Sequence, residues 1–146
     1  MSIEDDVALL ERVQTLRLLG SASLRMLAIG SEQRNFEHGD YLFNAGEEAD
    51  AGFIVQRGAF RVEDGSAEIV VGPGSLIGEL ALIVAMKRPS NAIALERSSV
   101  IRVSRSLFQR VLESDPAAAR RLRDEMAART SQLASDMLMA GAKLST

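Results

Sequence analysis

The chain has 146 residues and a net charge of −3, with 47% apolar and 25% charged residues, the balance of one globular domain with a core of useful size. It contains no cysteine, which excludes a disulfide frame and a thiolate metal site and points to a reducing, cytoplasmic setting. The acidic start Glu4-Asp5-Asp6 is unlike a signal peptide, no apolar run approaches a membrane span, and no block of like charge offers DNA or a membrane a docking surface.

Val7, Leu10, Val13, Leu16 and Leu18 recur at helical spacing and predict a first helix over Ile3 to Leu19. A second, shorter helix follows, with Ser21 or Ser23 as its cap and Leu24, Leu27 and Ile29 inward. After Arg34 the texture changes to short apolar runs broken by Gly39, Gly46 and Gly58, which read as strands of a roll or sandwich. Asp64-Gly65 predicts a hairpin joining the strand that ends at Glu63 to the run Glu68 to Val71, and Gly72-Pro73-Gly74 forces the next turn. Good helix formers follow Gly78 between Ile77 and Met86, and Lys87-Arg88-Pro89 stops them after one or two turns. Strands over Asn91 to Leu95 and Ser98 to Val103 lead into a helix over Ser104 to Ser114 with Leu107, Phe108, Val111 and Leu112 inward. Pro116 opens a last helix reaching about Ala140, with Leu122, Met126, Leu133, Met137 and Ala140 on one stripe interrupted by Arg129 and Thr130. The fold class is α+β: a double-stranded β-helix, or jelly-roll-like β-roll, flanked by N- and C-terminal helices. One domain spans 1–146, with N-terminal helices in 1–33, the roll in 34–103 and C-terminal helices in 104–146.

The chemistry concentrates in 74–94. A glycine, Gly78, opening a short helix lets an anion approach the backbone N–H groups of Leu80 and Ala81, where the helix terminus adds partial positive charge. Nine residues after Glu79, Arg88 stands at the far end of the loop, and its guanidinium can neutralise a phosphate through two directed hydrogen bonds. Glu79 would repel a bare phosphate but suits a ribose hydroxyl beside one. A carboxylate, free amides and an arginine together describe a site for a sugar phosphate carrying one negative charge.

At this spacing the sequence resembles the cyclic-nucleotide-binding domain family, which includes the catabolite activator proteins, the regulatory subunits of cyclic-AMP-dependent kinase and nucleotide-gated channels. The resemblance covers nearly the whole chain. Its specific part is Ile77-Gly78-Glu79-Leu80-Ala81-Leu82 followed by Arg88, the phosphate-binding cassette. It is supported by Gly39-Asp40-Tyr41-Leu42-Phe43, the Ala45-Gly46-Glu47-Glu48-Ala49-Asp50 turn, Phe53-Ile54-Val55 with Gly58, and Pro73-Gly74. The resemblance implies that Glu79 accepts the ribose 2′-hydroxyl, Arg88 pairs with the cyclic phosphate, and the amides of Leu80 and Ala81 complete the cradle. The ligand it implies is cyclic AMP or cyclic GMP, with no cofactor and no metal, and Arg129 or Thr130 of the last helix could cap the base. One departure stands out: the residue after the arginine usually donates its N–H to the phosphate, and here it is Pro89, which has none. Ser90 and Asn91 follow, Asn91 where the family usually has Thr or Ser, so polar groups stay near the ligand. Losing one donor to an anion costs about 1.5 to 3 kcal/mol, roughly ten- to a hundredfold in affinity.

Other classes fit less well. The single histidine, His38, lies in a turn beside Gly39 without clustered partners, so neither a cupin-type metal enzyme nor an activated Ser75 or Ser90 nucleophile is expected. The activator proteins continue past their long helix into a helix-turn-helix, whereas this chain stops at Thr146, so no DNA binding by that route is expected. Two readings stay open. One is a sensor whose nucleotide orders the cassette and shifts the C-terminal helices about a hinge near Ser104. The other is a nucleotide-free module that uses the last helix for homodimerisation or for docking a partner protein.

Overall fold

The computed structural model describes residues 2–64 and 67–129. Three short helices come first: α1 (Ile3–Glu11), α2 (Gln14–Arg17) and α3 (Ser21–Gly30). Ser2 and Asp5 close a capping box at the start of α1. The single helix expected over Ile3 to Leu19 is broken at Val13, whose backbone is extended at φ −83° and ψ 118°. Apolar residues spaced by three wind around a straight helix, and the break re-aims them, so that Val7, Leu10, Val13, Leu16 and Leu19 are all buried. Leu19, not Leu18, is thus the buried one. Gly20, not a serine, is the N-cap of α3, and the Ser23 hydroxyl donates to Asp115 Oδ2 at 3.3 Å. Ile29, expected inward, is 67% exposed, because Leu24, Leu27 and Ala28 form the buried face and Ile29 falls on the other side.

Two four-stranded antiparallel sheets form the roll. The first has the order β1 (Glu32–Phe36), β10 (Ser98–Ser104), β4 (Ala51–Arg57), β7 (Leu76–Ile77). The second has the order β2 (Tyr41–Phe43), β9 (Asn91–Ala94), β5 (Phe60–Asp64), β6 (Ala67–Val71). A small third sheet pairs β3 (Glu48–Ala49) with β8 (Met86–Lys87). Strands β5 and β6 pair from Phe60↔Val71 to Asp64↔Ala67, the hairpin expected there, although its turn at 65–66 lies outside the described residues.

Alternation along β4 divides the core in two. Ala51, Phe53 and Val55 point between the sheets with Phe43, Phe60, Ala92, Ala94 and Val100. Ile54 points outward, beneath the helices, with Leu10, Leu16, Leu27, Ile101 and Phe108. Each fully buried Leu, Ile or Phe contributes about 1.5–3 kcal/mol relative to exposure. Strand β10 runs directly into α4 (Arg105–Ser114), whose N-cap Ser104 accepts from the Leu107 N–H at 3.1 Å. A further helix covers 116–129, buries Leu122, and is tied to α2 by Arg121 donating to the Leu18 carbonyl at 2.9 Å. The rest of the expected stripe, Leu133, Met137 and Ala140, lies outside the described residues. Among those described, no helix is long and apolar enough to cross a membrane.

Candidate functional site

A cavity of about 230 Å³ opens between the two sheets beside the turn that follows β7. Phe43, Val62, Ile77 and Met86 give it apolar walls, and Gly78, Glu79, Leu80, Ala81, Arg88, Pro89 and Ser90 line the rest. Seven of the residues singled out in the sequence thus meet at one place.

Gly78 makes the junction. It is left-handed, φ 79° and ψ 36°, and a Cβ built there would lie 2.6 Å from Arg88 Nη1, so only glycine lets the guanidinium pass so close. The helical segment after it is a single 3-10 turn over Glu79–Leu82, within the one or two turns expected and tighter than an α-helix. Its Leu82 presses onto β4 at Gly52, where a Cβ would meet the leucine Cγ at 3.1 Å. The expectation of two free amides is corrected in part, because the Ala81 N–H already donates to the Gly78 carbonyl at 3.2 Å in closing the turn. Four residues also give little macrodipole, so an anion here would depend on Arg88.

Arg88 is 6% exposed. Its backbone is pinned by N–H donation to the Glu47 carbonyl at 2.7 Å and acceptance from the Gly46 N–H at 2.8 Å. Its Nη2 donates to the Ala51 carbonyl at 2.8 Å, and the guanidinium carbon stands 4.3 Å from the Phe43 ring centre and 5.3 Å from that of Phe53. Burial lowers its pKa below the ordinary guanidinium value, and the nearby charges of Asp50 and Glu47 act against that shift. Among the described residues no carboxylate forms an ion pair with it. A buried cation without a counter-charge is costly, and an anion entering the cavity would relieve that cost.

Glu79 is treated in the opposite way. Its Oε1 accepts from the buried Thr15 hydroxyl of α2 at 3.1 Å and from Arg129 Nη1 at 3.0 Å. Arg129 also pairs with Glu125 at 3.5 Å. Arg129, expected toward a base, is therefore held at the carboxylate that the resemblance gives to the ribose, because two acidic partners lie within its reach. Thr130 lies outside the described residues.

Pro89 is exposed at the rim, and Ser90, 8% exposed, has a hydroxyl with no hydrogen-bond partner among the described residues. Asn91 does not line the cavity. Ala92 next to it points into the roll, so Asn91 faces away, where its Oδ1 accepts from the Ala45 N–H at 2.7 Å and its Nδ2 donates to Glu63 Oε2 at 3.2 Å. Asn91 is a brace for the loop after β2. Thr15, Phe43 and Phe53 are site residues that the sequence reading missed. Inward alternation on β2 and β4 is the signal that could have found the two rings, whereas Thr15 carries no local signal at all.

Comparison with known proteins bears on the family and the fold. The family model of the cyclic nucleotide-binding domain matches residues 33–115. A Brucella abortus structure described as a cyclic nucleotide-binding-like protein is 36% identical, with a TM-score of 0.66, covering 75% of this chain and 98% of that one. The N-terminal domain of a transcriptional regulator from Streptomyces coelicolor A3(2) is 26% identical, with a TM-score of 0.78, covering 86% and 94%. An uncharacterized NTE family protein of Mycobacterium tuberculosis is 31% identical over 133 residues, 84% of this chain and 23% of that protein. The chain thus spans about a quarter of the length of that curated relative. With the cassette, the roll and the match over 33–115 in agreement, the chain belongs to the cyclic nucleotide-binding domain family.

Proposed function

We propose that the domain binds a cyclic nucleotide monophosphate, cyclic AMP or cyclic GMP, and acts as a regulatory sensor without chemistry of its own. The observation that carries this reading is Arg88: a guanidinium buried against two aromatic rings, without a carboxylate partner among the described residues, on the wall of a cavity that Gly78 keeps open. The cyclic phosphate meets Arg88 and takes the Leu80 N–H. The free Ser90 hydroxyl stands in for the donor that Pro89 lacks.

The ribose hydroxyl falls to Glu79, whose Oε2 has no partner among the described residues while Oε1 holds Thr15 and Arg129. A ligand that loads this carboxylate weakens its hold on Arg129 and biases the helix over 116–129 toward a second position, which is the sensor's output. A partner protein or a second copy reads that change through the last helix, in a cytoplasmic setting. The family match and the neighbours support this ligand class.

Titration calorimetry with cyclic AMP and cyclic GMP tests the reading. Heat from the wild type that disappears in Arg88→Ala is the expected result. A second reading, a nucleotide-free docking module, is favoured by Pro89 and by the committed Ala81 amide. No heat from the wild type at millimolar ligand would establish it over the first.

A further inference from the structure

Arg105, the first residue of α4, is engaged from several sides. Its Nη1 stands 2.9 Å from the Ala49 carbonyl, 3.1 Å from that of Ala81 and 2.9 Å from that of Val84. Its backbone N–H donates to the Asp50 carbonyl at 2.7 Å. Ala81 and Val84 bracket the C-terminal end of the cassette turn, where carbonyls without intrahelical partners carry partial negative charge. Ala49 belongs to β3, whose partner β8 leads into Arg88. Among the described residues Arg105 has no carboxylate partner, so its charge is directed at these backbone oxygens.

The neighbouring carbonyl completes a path. Ala51 gives its oxygen to Arg88 Nη2 at 2.8 Å. Carbonyls 49 and 50 are held by Arg105 and carbonyl 51 by Arg88, so one stretch of backbone links the first residue of α4 to the guanidinium that lines the cavity. No other side chain of α4 hydrogen-bonds to the cassette turn among the described residues. Leu82 of the turn also shares the buried apolar cluster beneath the helices with Leu107 and Phe108, and apolar burial of this kind does not fix a direction.

We infer that Arg105 is a positioning residue that couples the cassette to α4, delivering a change at Arg88 or at the cassette turn to the C-terminal helices. The inference rests on the nucleotide-binding reading for its trigger. An anion that draws on Arg88 Nη2 competes with the Ala51 carbonyl, and the backbone so released is the same stretch that Arg105 grips. Nη1 alone faces all three oxygens, and a lysine keeps the charge but ends one bond short of that position, so it reaches the cluster only in part.

Backbone amide resonances of the full chain test this, with cyclic AMP as the probe, in the wild type, Arg105→Ala and Arg105→Lys. In the wild type, saturating cyclic AMP shifts the signals of the cassette turn and of α4. In Arg105→Ala the turn still responds and the α4 response is lost, while Arg105→Lys restores it only in part. An α4 response of wild-type size in Arg105→Ala overturns the coupling. So does joint loss of both responses, which would make Arg105 a part of the binding site or of the fold. If neither cyclic AMP nor cyclic GMP shifts either region in the wild type, the nucleotide reading fails, and the coupling is judged without ligand. Arg88→Ala then perturbs the α4 signals when Arg105 is present and leaves them unchanged in an Arg105→Ala background, and equal perturbation in both overturns it. Arg105→Lys replaces Arg105→Ala in each arm if the alanine variant does not fold.

Discussion

The two charged walls of the cavity are built by different means. The Arg88 wall belongs to the roll: Gly46 and Glu47 in the turn before β3 pin its backbone, Phe43 and Phe53 flank its guanidinium, and a single carbonyl takes a donor. The Glu79 wall is finished by helices far away in the chain, through Thr15 of α2 and Arg129. The anion half is therefore preorganised by the roll and left without a counter-charge, whereas the carboxylate half is already paired at one oxygen and depends on where the helices lie. An arrangement of this kind separates affinity, which the roll supplies, from response, which the helices supply.

The sharpest way to break that separation is at Gly78. Gly78→Ala places a Cβ 2.6 Å from Arg88 Nη1 at a backbone φ of +79°. The left-handed conformation alone costs a non-glycine residue roughly 1–2 kcal/mol, and the guanidinium must also leave its place. Loss of calorimetric nucleotide binding, with a lower urea midpoint, is the expected outcome. Wild-type affinity in Gly78→Ala would mean that Arg88 is not held as the anion site.

The next largest effect goes the other way. Pro89→Ala returns an N–H beside Arg88, on the roll's wall and away from Thr15 and Arg129. Regaining one donor to an anion is worth about 1.5 kcal/mol or more, so affinity should rise roughly tenfold. Titration at equal temperature and salt checks it. An unchanged constant would show that Ser90 already replaces the missing donor.

Much of the roll could be read in the chain because its punctuation is local. Gly39, Gly46, Gly58, Gly74 and Gly78 all have positive φ, and each falls where the sequence suggests a break between strands or before a turn. The cassette was legible for the same reason, since Gly78, Glu79 and Arg88 lie within one loop. What sequence reasoning missed is non-local. Thr15 meets Glu79 across 64 positions and Arg129 meets it across 50, and nothing near Thr15 or Arg129 marks either as a partner. The break at Val13 escaped because a spacing of three satisfies the helical pattern locally while drifting around a straight helix. Asn91 departs from what the resemblance implies, because alternation within β9 puts it on the face opposite Ala92.

The smallest effect is the one that sharpens the comparison most. Glu79→Gln keeps an acceptor for Thr15 and for a ribose hydroxyl but removes the charge facing Arg129. Both side chains of that pair are about a third exposed, 33% and 36%, so solvent screening limits its worth to about 0.5 kcal/mol. Unfolding stability should hardly move. Trading a charged acceptor for a neutral one costs the ligand about 1 kcal/mol, roughly a fivefold weaker constant. The Arg129 signals should respond far more than the affinity, because the amide cannot anchor a guanidinium as the carboxylate does. If Glu79→Gln and Glu79→Ala both bind nucleotide with the wild-type constant, Glu79 serves the helices alone. The ribose must then find its acceptor elsewhere.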